Sequence, residues 1–144
     1  MKLHPRLIDQ FAIAERRFTQ LTEKFAAFTK ALEFFTDPRC PVRGVLITKT
    51  DDPLFLVVTY HTVAIGIRML CELTDTGVAS ARIVCTLEKP SFSVDKKVLG
   101  SFSFNGQGFT DHEVTEGEDP VEVEYMAPEI VLSLLHLALQ RGAA

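Results

Sequence analysis

Asp111-His112-Glu113 is the densest group of acid, base and metal-ligating side chains in this 144-residue chain. An imidazole between two carboxylates could relay a proton or hold a cation. In an extended segment, however, side chains alternate, so Asp111 and Glu113 point one way and His112 the other, and the three converge only across a bulge. They read as a solvated strand end. Asp51-Asp52 could form a metal or general-base pair, yet aspartate before Pro53 between two apolar runs is turn chemistry. Tyr60-His61 stands at a strand junction and would serve a ligand only if a pocket formed around it.

Arg68 and Arg82 are the most suggestive cations. Strand alternation puts both on the face opposite the apolar one, with Glu72 nearby. On a concave sheet, two guanidinium groups could clamp a carboxylate or phosphate; on a wet face they would pair across strands with Glu72 and Glu88. The candidate ligand-binding set is therefore Tyr60, His61, Arg68 and Arg82. No catalytic residue, metal ligand or cofactor is assigned, because the chain carries no Gly-x-Gly-x-x-Gly, Walker loop, Gly-x-Ser-x-Gly elbow, His-Glu-x-x-His or EF-hand loop.

A run of acids, Asp111, Glu113, Glu116, Glu118, Asp119, Glu122 and Glu124, contains no lysine or arginine. It lacks the ligand spacing of a calcium loop. Glu113, Glu116, Glu118, Asp119, Glu122 and Glu124 are expected to form an acidic surface complementary to a basic protein partner.

The elements that must position these residues begin with one long helix. Leu7, Phe11, Ala14, Phe18, Leu21, Phe25, Phe28, Leu32 and Phe35 recur alternately four and three apart, the mark of a helical seam. Pro5 suits the first turn and Pro38 forbids continuation beyond Thr36, which predicts a rod of roughly 48 Å at the helical rise. Aromatic residues in the seam and a poor charge code on its flanks argue against a parallel coiled coil. Ala12, Ile13, Ala26, Ala27 and Phe34 widen the stripe, as suits a helix lying on a sheet.

After Cys40-Pro41 the period becomes two. Val42–Thr50 and Leu54–Tyr60 predict a hairpin about Asp51-Asp52-Pro53. Thr62–Thr74 and Val78–Lys89 predict two long strands joined at Asp75-Thr76-Gly77. Val63, Ile65, Ile67, Met69, Cys71 and Leu73 share one face of the first, and Ala79, Ala81, Ile83, Cys85 and Leu87 one face of the second. Pairing Thr74 with Val78 sets Cys71 opposite Ala81 and Cys85 opposite Ile67, which separates the thiols by roughly 13 Å and predicts that they stay reduced. Asn105-Gly106 predicts a two-residue turn after Val98–Phe104, with Phe102 facing Phe109. Alternation over Val121–Tyr125 predicts a last strand. A second helix runs from Pro128 to about Arg141, apolar almost all round, and requires cover on two sides; Val131, Leu134, Leu135 and Leu139 are the expected subunit interface.

The bulk composition fits this order. Apolar residues make up 47% and charged residues 24%, which is ordinary for a globular protein. Net charge is −4, but residues 1–97 carry a net +3 and residues 98–144 a net −7. No basic stripe exists for nucleic acid, and neither an apolar leader nor a span of about 18 apolar residues is found. The expectation is one cytoplasmic α+β domain over 1–144: a long N-terminal helix, an antiparallel meander of six or seven strands and a C-terminal helix, with both helices on one sheet face. Function is read as that of a non-enzymatic, homodimeric accessory protein acting through protein–protein contact, as an inhibitor, immunity-type or chaperone-like factor. The alternative is a small-molecule-binding protein or enzyme with a pocket between a curved sheet and the N-terminal helix.

Overall fold

The computed structural model describes residue 2 and residues 4–73, 77–89, 97–108 and 122–142. Helix α1 spans Pro5–Ala31, with proline in its first turn and no side-chain cap from His4. Its last turn tightens into a 3₁₀ segment, Leu32–Thr36, so that the helical rod ends before Pro38 as its sequence requires. The seam divides along its length. Ala14, Leu21, Phe25, Phe28, Leu32 and Phe35 are buried, Phe18 is half-buried, and Leu7 and Phe11 are exposed. Phe25 and Phe28, one turn apart, stack with ring centroids 5.9 Å apart.

Five strands follow: β1 (Val45–Lys49), β2 (Phe55–Tyr60), β3 (Val63–Leu73), β4 (Ala79–Lys89) and β5 (Lys97–Phe104). They form one antiparallel sheet in sequence order, a meander. The count is five among the described residues, not six or seven. Gly44, at φ +87°, breaks the extended run and starts β1 at Val45 rather than Val42. Between Tyr60 and Val63, which pair directly, only His61 and Thr62 remain, and His61 takes the positive φ of 53° that so short a hairpin needs.

The β3–β4 register agrees with the sequence reading: Cys71 faces Ala81 and Ile67 faces Cys85. All three cysteines are free. Thr74 and the loop to Thr76 lie outside the described residues, as does Phe109, the expected partner of Phe102. Beyond β5, Gly108 rather than Gly106 takes positive φ, and its amide donates to the Asn105 carbonyl at 2.8 Å.

Helix α2 spans Val123–Gly142 and overturns the strand expected at Val121–Tyr125. Val121 is outside the described residues, and Val123, Glu124 and Tyr125 are helical. The reason is burial: Val123, Ala127, Ile130, Val131, Leu134, Leu135 and Ala138 are the covered positions, and their spacing follows a turn of helix. Pro128 therefore lies inside the helix rather than at its start. The Val123 amide donates to the Gly108 carbonyl at 2.6 Å, tying the first turn to the end of the β5 segment.

Leu56, Val58, Val63, Ile65, Ile67, Met69, Ala81, Ile83, Cys85 and Leu87 alternate along their strands and form one buried cluster with Leu21, Phe25, Phe28 of α1 and the covered face of α2. The helices thus share the sheet face that these side chains define. On the other face, Gly66 is the point of closest approach: a Cβ there would stand 2.5 Å from Glu88 Oε1 and 2.9 Å from Phe55 Cε2. Only glycine leaves room for those two side chains to lie across β3.

Candidate functional site

Arg68 and Arg82 lie on the open face of the sheet, as alternation requires, but each has its own carboxylate. Arg68 Nη1 donates to Asp52 Oδ2 at 2.9 Å, and its guanidinium lies 4.4 Å from the centroid of the Phe55 ring, its register neighbour. The Leu54 amide first, and then Arg68, hold the Asp52 carboxyl below the usual aspartate range. Arg82 Nε stands 3.7 Å from Glu72 Oε1. Both pairs are about half exposed; Arg82–Glu72 is an ordinary cross-strand pair, and Arg68–Asp52 joins β3 to the turn before β2.

Tyr60 and His61 are at the other end of β2. Their rings meet edge to face with centroids 4.4 Å apart, and His61 is exposed. Register places Arg68 opposite Phe55 and Tyr60 opposite Val63, so five strand positions, roughly 17 Å, separate the tyrosine from the guanidinium. Arg68 and Arg82 are diagonal neighbours on the open face, since Arg68 stands opposite Val84 and Arg82 opposite Leu70, but Tyr60 and His61 are not brought to them. Among the described residues no group of three or more His, Cys, Asp or Glu could hold a metal ion. Asp111, His112 and Glu113 lie outside the described residues.

A cleft of about 290 Å³ does open between α1 and the β1–β2 hairpin, lined by Ala26, Thr29, Lys49, Asp51 and Leu56 among others. It is small for a ligand pocket. Its hydroxyls are engaged internally: Thr29 donates to the Phe25 carbonyl, and Thr50 bonds to the carbonyls of Asp52 and Phe55. None of Tyr60, His61, Arg68 or Arg82 lines it.

Of the expected acidic surface, Glu113, Glu116, Glu118 and Asp119 lie outside the described residues. Glu122 and Glu124 are described, and neither is a bare surface charge. Both carboxylates stand 3.5 Å from Lys24 Nζ on α1. The base that the acidic run itself lacks is supplied from a distant part of the chain. Hydrogen bonding with Glu124, followed by the charge of Lys24, holds Glu122 below its usual range. Burial works against the Lys24 ammonium, but the charges of Glu122 and Glu124 outweigh it and raise its pKa.

The expected α2 interface is also largely spent. Val131, Leu134 and Leu135 are buried within their own subunit, because α1 and the sheet cover two sides of the helix; Leu139 alone is exposed. The unpartnered apolar surface lies elsewhere. Leu7, Ile8, Phe11 and Ile13 are all exposed, Phe11 at 65%, within the first nine residues of α1. Leu7, Ile8 and Phe11 lie within about 100° of one another around the helix and make a patch of the kind that marks contact with another macromolecule, with Ile13 exposed on another side. The seam contained Leu7 and Phe11, and the wider stripe Ile13; what the pattern lacked was the position at which the rest of the fold ends beneath them.

No protein-family model matches this chain, and neither a search of curated proteins nor one of solved structures returns a match.

Proposed function

We propose that this chain is a non-enzymatic accessory protein that works by binding another protein, with the exposed first turns of α1 as its docking element. The observation that carries the reading is the split seam: from Ala14 onward its residues pack into the fold, while Leu7 and Phe11, on the same stripe, face solvent together with Ile8 and Ile13. A helix presenting apolar anchors one turn apart, as Leu7 and Ile8 stand to Phe11, is the standard way one chain fills the groove of another. The individually paired arginines, and a small cleft that none of the four candidate residues lines, give a small-molecule reading less to stand on.

Affinity capture from the native host, with wild type and Phe11→Glu as parallel baits, tests this. Phe11→Glu changes an exposed position and is expected to keep the wild-type melting temperature while losing the proteins that wild type retains. Ala26→Trp, which fills the cleft beside α1, is expected to retain them. Identical captures by wild type and Phe11→Glu, or loss with Ala26→Trp alone, would reject the docking role of α1.

A further inference from the structure

Helix α1 offers more than its exposed first turns. A trough of about 610 Å³ continues from Phe11 along one flank of the helix as far as Glu23. The residues lining it fall into two neighbouring rows, each stepping by four: Phe11, Glu15, Thr19 and Glu23 in one, Ala14, Phe18 and Thr22 in the other. The space between two such rows is the groove that receives the side-chain ridge of a second helix. A strand, whose side chains on one face recur every second residue, does not match that pitch.

The groove is more apolar than its composition. Thr19 and Thr22 donate their hydroxyls back along the helix, to the Glu15 and Phe18 carbonyls, both at 2.9 Å. Their methyl groups are left to the groove, beside half-buried Phe18 and exposed Phe11, and Ala14 keeps the floor low. Among the described residues, the only charged side chains lining it are Glu15 and Glu23. Both are exposed, and the ion pairs of the described residues all lie elsewhere. Eight residues set the two acids about two turns apart, roughly 12 Å along the axis.

These charges decide between occupants. A second copy of the chain presenting the same face would set acid against acid, since the described lining holds no base. A helix with lysine or arginine beside an apolar ridge meets both glutamates instead. We propose that the groove is a docking site for a basic amphipathic helix of a partner protein, with its apolar ridge between the two rows and cations two turns apart reaching Glu15 and Glu23. The proposal rests on the reading of α1 as the docking element, which it extends to Glu23 and to which it adds the chemistry of the partner.

The probe is a helical peptide of about twenty residues with leucine along one ridge and lysine two turns apart beside it, compared with the same peptide carrying glutamate for lysine. Fluorescence anisotropy with the full chain at low salt should show the lysine peptide binding about tenfold more tightly than the glutamate one. Glu15→Lys combined with Glu23→Lys changes only exposed positions, and should keep the wild-type circular dichroism spectrum while reversing that order. Thr19→Arg, an obstruction midway along the groove, should lose the lysine peptide. A wild type that binds neither peptide, or both alike, overturns the proposal, as does an order unchanged by the charge reversal. So does a dimer in sedimentation that Thr19→Arg dissociates, because the groove would then hold a second copy. Capture from the host separates this proposal from the reading beneath it. If Phe11→Glu loses the wild-type partners while the charge-reversed variant keeps them, the docking role of α1 stands and the basic helix falls; if neither variant alters capture, both fall.

Discussion

The Cys85 thiol sits on the helix-facing side of β4, where loss of water and then the charge of Glu88 push its pKa up to about 12. Cys71, four register positions nearer the Leu73 end of β3, is half-buried, and burial alone raises its pKa. Cys40 is buried, its thiol directed at the Val42 carbonyl at 3.3 Å. Reactivity follows thiolate content and access together. With an aromatic disulfide reagent at about pH 8, near the ordinary thiol range, the native chain should therefore release one equivalent slowly, from Cys71, and the remaining two only in denaturant. Three fast equivalents would contradict the packing of β4 under α1. The separation of the two strand thiols is legible in sequence because alternation and the glycine loop together fix a register, and a one-residue slip would turn either strand inside out. The partner of Arg68 is not legible in that way. Asp52 belongs to a different hairpin, and only the antiparallel docking of β2 on β3 places Phe55 under the guanidinium and Asp52 beside it.

At the scale of elements, the residues around Glu122 show how a short pattern misleads. Val121, Val123 and Tyr125 alternate as a strand would, and over five residues periods of two and of three to four cannot be told apart. The longer run decides: Val123, Ala127, Ile130, Val131 and Leu134 keep one helical face, so Val123 is buried while Tyr125, inward on the strand reading, is 74% exposed. Pro128 suggested a start because proline favours first turns, yet it is tolerated inside a helix that packing holds on one side. The helical course also brings Glu122 and Glu124 over Lys24, closing the acidic end of α2 against α1. Because Glu122 titrates below its ordinary value of 4.5, its contribution to stability is complete above that pH and is lost as pH falls through the lower folded value. Lys24, raised above 10.5, contributes fully below that value and loses its contribution as pH rises through the higher one. Lys24→Met should accordingly melt below wild type at neutral pH, with the gap narrowing through the acid range as the carboxylates protonate. Melting curves recorded from neutral pH into the acid range check this, and a gap that stays constant would remove Lys24 from the link between the helices.

At the scale of the molecule, the meander is legible because every described turn between strands is short, which leaves neighbours in sequence no choice but to be neighbours in the sheet. Where the sheet stops beneath α1 is not legible, since apolar spacing reports which face of a helix is sticky and not how much of it is covered. The same seam therefore has two consequences. Phe25 lies 1% exposed against the sheet, whereas Phe11, four turns earlier, is mostly in water. Truncating Phe25 to alanine should cost about 3–5 kcal/mol, the range for an aromatic side chain removed from a packed interior. Deleting residues 2–11 removes positions that are almost all exposed and leaves Ala14 and Phe18 in place. That deletion should change stability by no more than about 0.5 kcal/mol, the ordinary range for surface changes. Urea titration of the two variants beside wild type separates the roles. A deletion variant with an unchanged midpoint but no capture of partners would show that these turns of α1 are kept for contact, whereas a midpoint lowered as far as that of Phe25→Ala would show them to be part of the fold.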